Sequence, residues 1–158
     1  MADMVNVHNI GAVVDVVRAS AAASALAAGT GDATTTTGAT IDRMGFSNGS
    51  MPRSMLASVI YDATLASGKT LSIAYAVQDS ADASTWADYQ TAAAAVVATG
   101  ASGGSVAAGQ LNVQVDLNSA RRYVRVNSLP DLSNTATDTA VTRSVVALSG
   151  FDRHPAPN

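Results

Sequence analysis

Apolar and polar side chains alternate without a break along residues 70–78. Leu71, Ile73, Tyr75 and Val77 hold one parity; Ser72, Ala74, Ala76 and Gln78 hold the other. A period of two puts each set on its own face of a pleated strand, with the bulky set inward. The alternation ends at Asp79-Ser80-Ala81-Asp82-Ala83-Ser84, whose short polar side chains bond their own backbone and favour a turn. Trp86, Ala87, Asp88 and Tyr89 then open a return strand, so the stretch is a predicted β-hairpin with an aromatic anchor.

The same period recurs elsewhere. In 54–65, Met55, Ala57, Val59 and Tyr61 oppose Leu56, Ser58 and Ile60, and both faces are apolar enough for a strand in the middle of a sandwich. In 110–117, Leu111, Val113 and Val115 oppose Asn112, Gln114 and Asp116. Tyr123 and Arg125 oppose Val124 and Val126 in 121–126. Residues 91–99 and 140–148 read as strands, as does the β-branched run 33–44 (ATTTTGATIDRM), with Gly38 placed for a bulge. Between them lie turn signals: Asn48-Gly49 and Pro52 in 45–53, then 66–69, 100–105, 118–120 and the polar loop 130–138. Seven or eight short strands at near-regular spacing define an all-β antiparallel sandwich or barrel.

The two ends depart from this pattern. In residues 1–31, Val13, Val14, Val16 and Val17 favour a strand, while the Ala-rich 18–28 has the best helix propensity but is marginal as an isolated helix. Both readings stay open. The expected layout is an N-terminal arm or segment over 1–31, a sandwich domain over 32–150 and an extended tail over 151–158 (FDRHPAPN).

Composition sharpens this. Of 158 residues, 47% are hydrophobic but only 4% are aromatic, so Ala carries much of the apolar content and each side chain buries little area. Such a chain is suited to gaining stability by assembly. All twelve acidic residues are Asp, and Lys69 is the lone Lys, so the long residues of exposed helix faces are nearly missing. A net charge of −3 leaves no electrostatic footprint for nucleic acid. With no Cys there are no disulfides or thiolate metal sites. No basic leader and no membrane-length apolar run is apparent, so synthesis in a cytoplasm and no membrane partner are expected.

Candidate chemistry is thin. Gly45-Phe46-Ser47-Asn48-Gly49 fits G-x-S-x-G, but a nucleophile elbow needs a strand before it and a helix after it, and a β-patterned segment follows here. His8 and His154 stand near the two chain ends, poor places for an oriented catalytic base or a metal ligand set. Asp79 and Asp82 with Ser80 and Ser84 match a calcium loop only in composition. Arg121, Arg122 and Arg125 are expected to pair with Asp residues or a protein partner. We expect no catalytic residues, no cofactor, no metal and no enzyme activity.

Four pieces point to a family: TGATIDR (37–43), ATLASGKTLSIAYAVQDSADASTWADY (63–89), VDLNSARRYVRV (115–126) and GFDRHPA (150–156). Together they resemble tailed-bacteriophage head decoration, or capsid cement, proteins over about two-thirds of the chain, excluding the N-terminal segment. The resemblance implies a jelly-roll-like sandwich on the outer surface of the virion capsid. There it would clamp neighbouring major capsid subunits after being made in the host cytoplasm. It also implies self-association, with a homotrimer favoured and a dimer as the alternative. It carries no catalytic residues. Extended termini that add to a neighbour's sheet would suit this role. They make Ile10, Val13, Val14, Val16, Val17, Phe151 and Arg153 the candidate capsid or subunit contacts. The alternatives are another phage structural component (tail, neck or baseplate) and a carbohydrate- or ligand-binding sandwich. Against the last, one Trp and four Tyr sit mostly at core-parity positions, leaving few rings for stacking on sugars.

Overall fold

A computed structural model describes residues 10–46, 51–133 and 137–150. A single 3-10 turn, Ile10–Ala12, precedes nine strands: β1 (Asp15–Arg18), β2 (Ala23–Leu26), β3 (Ile41–Asp42), β4 (Ser54–Leu65), β5 (Thr70–Ser80), β6 (Ala87–Thr99), β7 (Ser105–Asp116), β8 (Tyr123–Leu132) and β9 (Thr139–Ser149). No α-helix occurs among the described residues. One sheet, A, runs β1-β9-β4-β7 with β2 also on β9; the other, B, runs β3-β8-β5-β6. All pairings between strands are antiparallel.

The chain is an antiparallel β-sandwich with the strand order of a jelly roll. β1 and β2 lie one after the other along β9 and count as a single edge. First then pairs with last, β3 with β8, β4 with β7, and β5 with β6, as when one long hairpin is rolled into two layers. The β5–β6 hairpin predicted around Asp79 to Trp86 is the closed end of that roll.

Three expectations change. Residues 15–26 form strands within sheet A, so the boundary at residue 31 does not mark off an arm in the described part of that segment, and 18–28 is not helical. Ala19 and Ser20 both donate backbone N–H bonds to Ser144 O, and Ser20 Oγ accepts from Ser144 N at 2.7 Å. Pairing with β9 thus overrides the local helix propensity of Ala. The strand expected over 33–44 shrinks to Ile41–Asp42, and the rest follows β8 without a regular ladder, through the bridge between Thr36 and Ser128 and bonds from Ala33 N to Pro130 O and Gly38 N to Asn127 Oδ1. Gly38 marks a close approach: a Cβ there would lie 2.2 Å from Val126 O. Lastly, β8 runs through Pro130. Ser128 exchanges hydrogen bonds with Thr36, so Pro130, of the same parity, turns its missing donor toward that sparse outer segment and away from β5.

The core lies between the sheets in two apolar lobes. One gathers Met55, Ala57, Val77, Val124, Val126 and Leu148; the other Val59, Tyr61, Leu65, Leu71, Ile73 and Leu132. Between them β9 turns Thr142 and Ser144 inward, and both are buried. Arg43, only 2% exposed, is held by carbonyls alone: those of Pro52, Leu117, Ala120 and Arg121. It ties the loop before β4 to the turn after β7.

β6 closes the open side of the roll. Its pairing with β5 shifts register three times, leaving Tyr89 and Val97 as extra residues at two of the shifts. Such bulges re-aim side chains, and both of these pack against the core. Tyr89 Oη donates to Asp116 O on β7 at 2.6 Å, and Tyr61 Oη donates to Val97 O at 2.7 Å. Tyr61 reaches across because β7 has Gly109 there: a Cβ would stand 2.5 Å from its hydroxyl.

Candidate interaction surface

The even positions of β4 point out of sheet A. Register aligns Val16 of β1 with Ala147 of β9, Ala147 with Leu56 of β4, and Leu56 with Gln114 of β7. The result is a transverse row across the outer face, with Val16 68% and Leu56 39% exposed. The adjacent row is Arg18, Val145, Ser58 and Asn112, in which Ser58 Oγ donates to Asn112 Oδ1 at 2.7 Å. At the end of β4 and β7 the face opens into a depression of about 830 Å³ lined by Arg53, Ser54, Leu56, Gln114, Asp116 and Asn118. The row is an apolar strip that ends at this polar rim.

The candidate contact residues divide between two roles. Val16 joins the row, and Ile10, in the 3-10 turn, is 72% exposed. Val13 and Val14 are half-buried, and Ser149 Oγ donates to Val13 O. Val17 turns inward against the core. Phe151 and Arg153 lie outside the described residues, as do His8 and His154. Leu56 and Gln114 were not singled out from the sequence. The signal was the second apolar parity of 54–65, which reads equally as burial on both faces.

The outer face of sheet B is polar and knitted to itself. Gln78 Oε1 accepts from Arg125 and from Asn127 Nδ2, while its Nε2 donates to Asp88. Arg125 also lies over the Trp86 ring, 4.2 Å from its centre. A shallow hollow of about 290 Å³ beside this network has a floor of Ala74 and Ala76. The other two arginines of the 121–125 cluster pair as well. Arg121 bonds Asp79 through both side chain and backbone, and Arg122 bonds Asp42 at 2.6 and 2.9 Å. Burial pushes the Asp79 carboxyl up, but the hydrogen bonds from Arg121 outweigh it and hold the group below the usual carboxylate range. The Arg122 side chain lowers Asp42 in the same way.

Asp82 folds the turn. Its Oδ1 accepts from Thr85 N, Ser84 N and Ser80 Oγ, bonds that stabilise the ionised form and depress its pKa well below the ordinary value. Asp79 and Asp82 are therefore committed to separate partners and do not converge on a common point. No group of three or more His, Asp, Glu or Cys able to hold a metal occurs among the described residues. Of the G-x-S-x-G stretch, Gly45 and Phe46 are described, and the next regular element among the described residues is strand β4, where an elbow requires a helix. No helix among the described residues is long and apolar enough to cross a membrane.

No family model and no curated protein sequence matches the chain. Among solved structures, it is similar to a chain in the structure of infectious bursal disease virus, Gx strain, at 13% identity and a TM-score of 0.44. That match covers 86% of this chain, which spans 32% of the length of the viral one. A likeness of this degree assigns no function.

Proposed function

We propose that the chain is a non-enzymatic virion structural protein that binds the outer surface of a phage capsid and stabilises the shell by bridging major capsid subunits. It would act as a homo-oligomer, trimer or dimer. The observation that carries this reading is the row Val16, Ala147 and Leu56 across the outer face of sheet A, where large apolar side chains stand in solvent until a partner covers them. The jelly roll adds an analogy at the level of fold, since viral capsid domains and lectins both use it. The sequence resemblance to decoration proteins selects the first. Each contact can be weak, because repetition over a shell multiplies a modest single-site affinity. A sugar-binding reading is less well supported, because the Trp86 face that would stack on a ring is already under Arg125.

The test uses empty expanded heads and the purified chain. The wild type is expected to decorate them and to raise their resistance to heat or chaotrope. Leu56→Lys together with Val16→Lys should lower single-site affinity roughly tenfold, about 1.4 kcal/mol, without changing the fold. Absence of wild-type binding, or undiminished affinity in the folded double variant, would overturn the reading.

A further inference from the structure

The sandwich has four strand edges, and three of them are protected. β1 and β2 are four residues each and are separated by a break. β3 has two residues, and the segment before it bridges to β8 at Thr36. β6 shifts register three times. Short edge strands, covering segments and bulges are known ways of blunting an edge. Over residues 105–112, β7 has none of these. It pairs with β4 through twelve consecutive residues without a shift, and no strand among the described residues pairs with its other side, which β6 side chains reach near Gln114 and Asp116. It contains no Pro and no charge before Asp116. The uncharged stretch is longer than the strand: Tyr89 to Val115, 27 residues, in a chain that is 13% charged.

The orientation of this edge follows from its partners. Gln90 Nε2 reaches Gln114 O at 3.3 Å, and Tyr89 Oη reaches Asp116 O, so these carbonyls face away from β4. Residues of an antiparallel strand alternate in the side to which they turn their N–H and C=O groups. Val106, Ala108, Gln110 and Asn112 share the parity of Gln114 and turn theirs to the open side as well. All four are exposed, Val106 to 77%.

We propose that residues 106–112 of β7 pair antiparallel with the same residues of a second copy about a two-fold axis at Gly109, setting Val106 opposite Asn112 and Ala108 opposite Gln110 and continuing sheet A from one subunit into the next. Two-fold pairing sets a strip against itself, so a charge beside the axis would stand close to its own like charge. A strip emptied of charge is complementary to itself and offers nothing to a charged partner. Seven residues give a contact about 24 Å long. A three-fold axis cannot place one edge against itself, so the self-association invoked above takes the form of a dimer. This contact uses a surface separate from the outer face of sheet A.

Light scattering and sedimentation of the full chain, taken into the high micromolar range, test this. The wild type is expected at twice the monomer mass. Ala108→Pro removes an N–H that faces away from β4, so the β4–β7 ladder survives while the dimer loses a bond and meets the ring. Gln110→Lys brings a charge beside the axis, close to its own symmetry copy. Both are expected to be monomers with unchanged circular dichroism. A wild type that stays monomeric or forms a trimer overturns the proposal, and so does a folded Gln110→Lys that remains a dimer. If Ala108→Pro does not fold, Gln110→Lys decides alone. Capsid binding is read separately: monomeric variants that still bind heads leave the capsid reading intact, and a dimer that binds no heads removes only that reading.

Discussion

Thr142 and Ser144 turn their hydroxyls into the gap between the two core lobes, and neither oxygen has a hydrogen-bond partner among the described residues. A buried hydroxyl without a partner costs about 1–3 kcal/mol. Thr142→Val keeps the shape and removes the polar atom, so it is expected to stabilise the protein by ~1 kcal/mol, seen as a higher urea midpoint at an unchanged m value. Asp79 is the opposite case, a buried carboxylate whose oxygens are both occupied by Arg121. Its pKa is lower folded than unfolded, so the folded state binds fewer protons. Its contribution is complete above the unfolded value near 3.8 and is lost as pH falls through the folded value. Asp42 and Asp82 act with the same sign. Asp79→Asn is expected to cost about 2 kcal/mol at pH 7, discounted for the exposure of Arg121, and to flatten the loss of stability below about pH 4. Urea titrations at pH 7 and pH 3 measure both effects, and a variant with the wild-type pH slope would refute the assignment. Neither feature was legible in the sequence. Thr142 and Ser144 share parity with Val146 and Leu148 and mark a face, but nothing in the pattern says what lies opposite. Asp79 read as the first residue of a turn, whereas it is the last inward position of β5, one residue before the strand ends.

At the scale of elements, period two was a good guide where one face is wet. β4, β5 and β9 fall where alternation puts them, β7 begins at Ser105, five residues before the alternation over 110–117, and Asp82 makes the turn its composition suggests. The departures have physical causes that periodicity does not contain. β1 and β2 exist because β9 offers an edge, and Ala-rich sequence follows the neighbour and not its own propensity. The run 33–44 is β-branched but has one partner and a glycine pressed against it, so most of it follows β8 without forming a ladder. β8 passes through a proline because Pro130 turns its absent N–H away from β5, while its carbonyl still accepts from Ala33 N on the outer side. The bulges of β6 are invisible in the run TAAAAVV (91–97), since Ala on either parity reads alike. Yet they aim Tyr89 and Val97 inward and allow β6 and β7 to be latched by side chains. The contact row on sheet A is a product of register between strands far apart in sequence. Val16 could be named in advance as an apolar residue near one end of the chain, but not Leu56 as its companion.

For the whole molecule, the rolled-hairpin topology makes the two ends of the described chain partners: Asp15 lies opposite Leu148, and Leu26 opposite Thr139. Counting strands identifies a sandwich, but which edge covers which depends on these distant pairings, and no local pattern records them. The consequence bears on how the N-terminal segment is tested. Were it a free arm, removing it would spare the fold and affect only assembly. Here, deleting residues 1–26 strips β1 and β2 from β9, removes the Ser20 bond to Ser144 N, and takes buried Ala19 and Ala25 out of the two core lobes. It would also replace a short, interrupted edge with the long, regular edge of β9, which invites pairing with other chains. The truncated chain is therefore expected to melt well below the full chain and to aggregate near its transition, with thermal circular dichroism and light scattering as the readouts. Loss of capsid binding on such a deletion would then say nothing about an arm. Substitutions on the folded surface, at Val16 and Leu56, separate contact from folding in a way truncation does not. A truncated chain that melted with the full-length protein and stayed in solution would show that β9 needs no cover, and the role of the N-terminal strands would have to be sought outside the sheet.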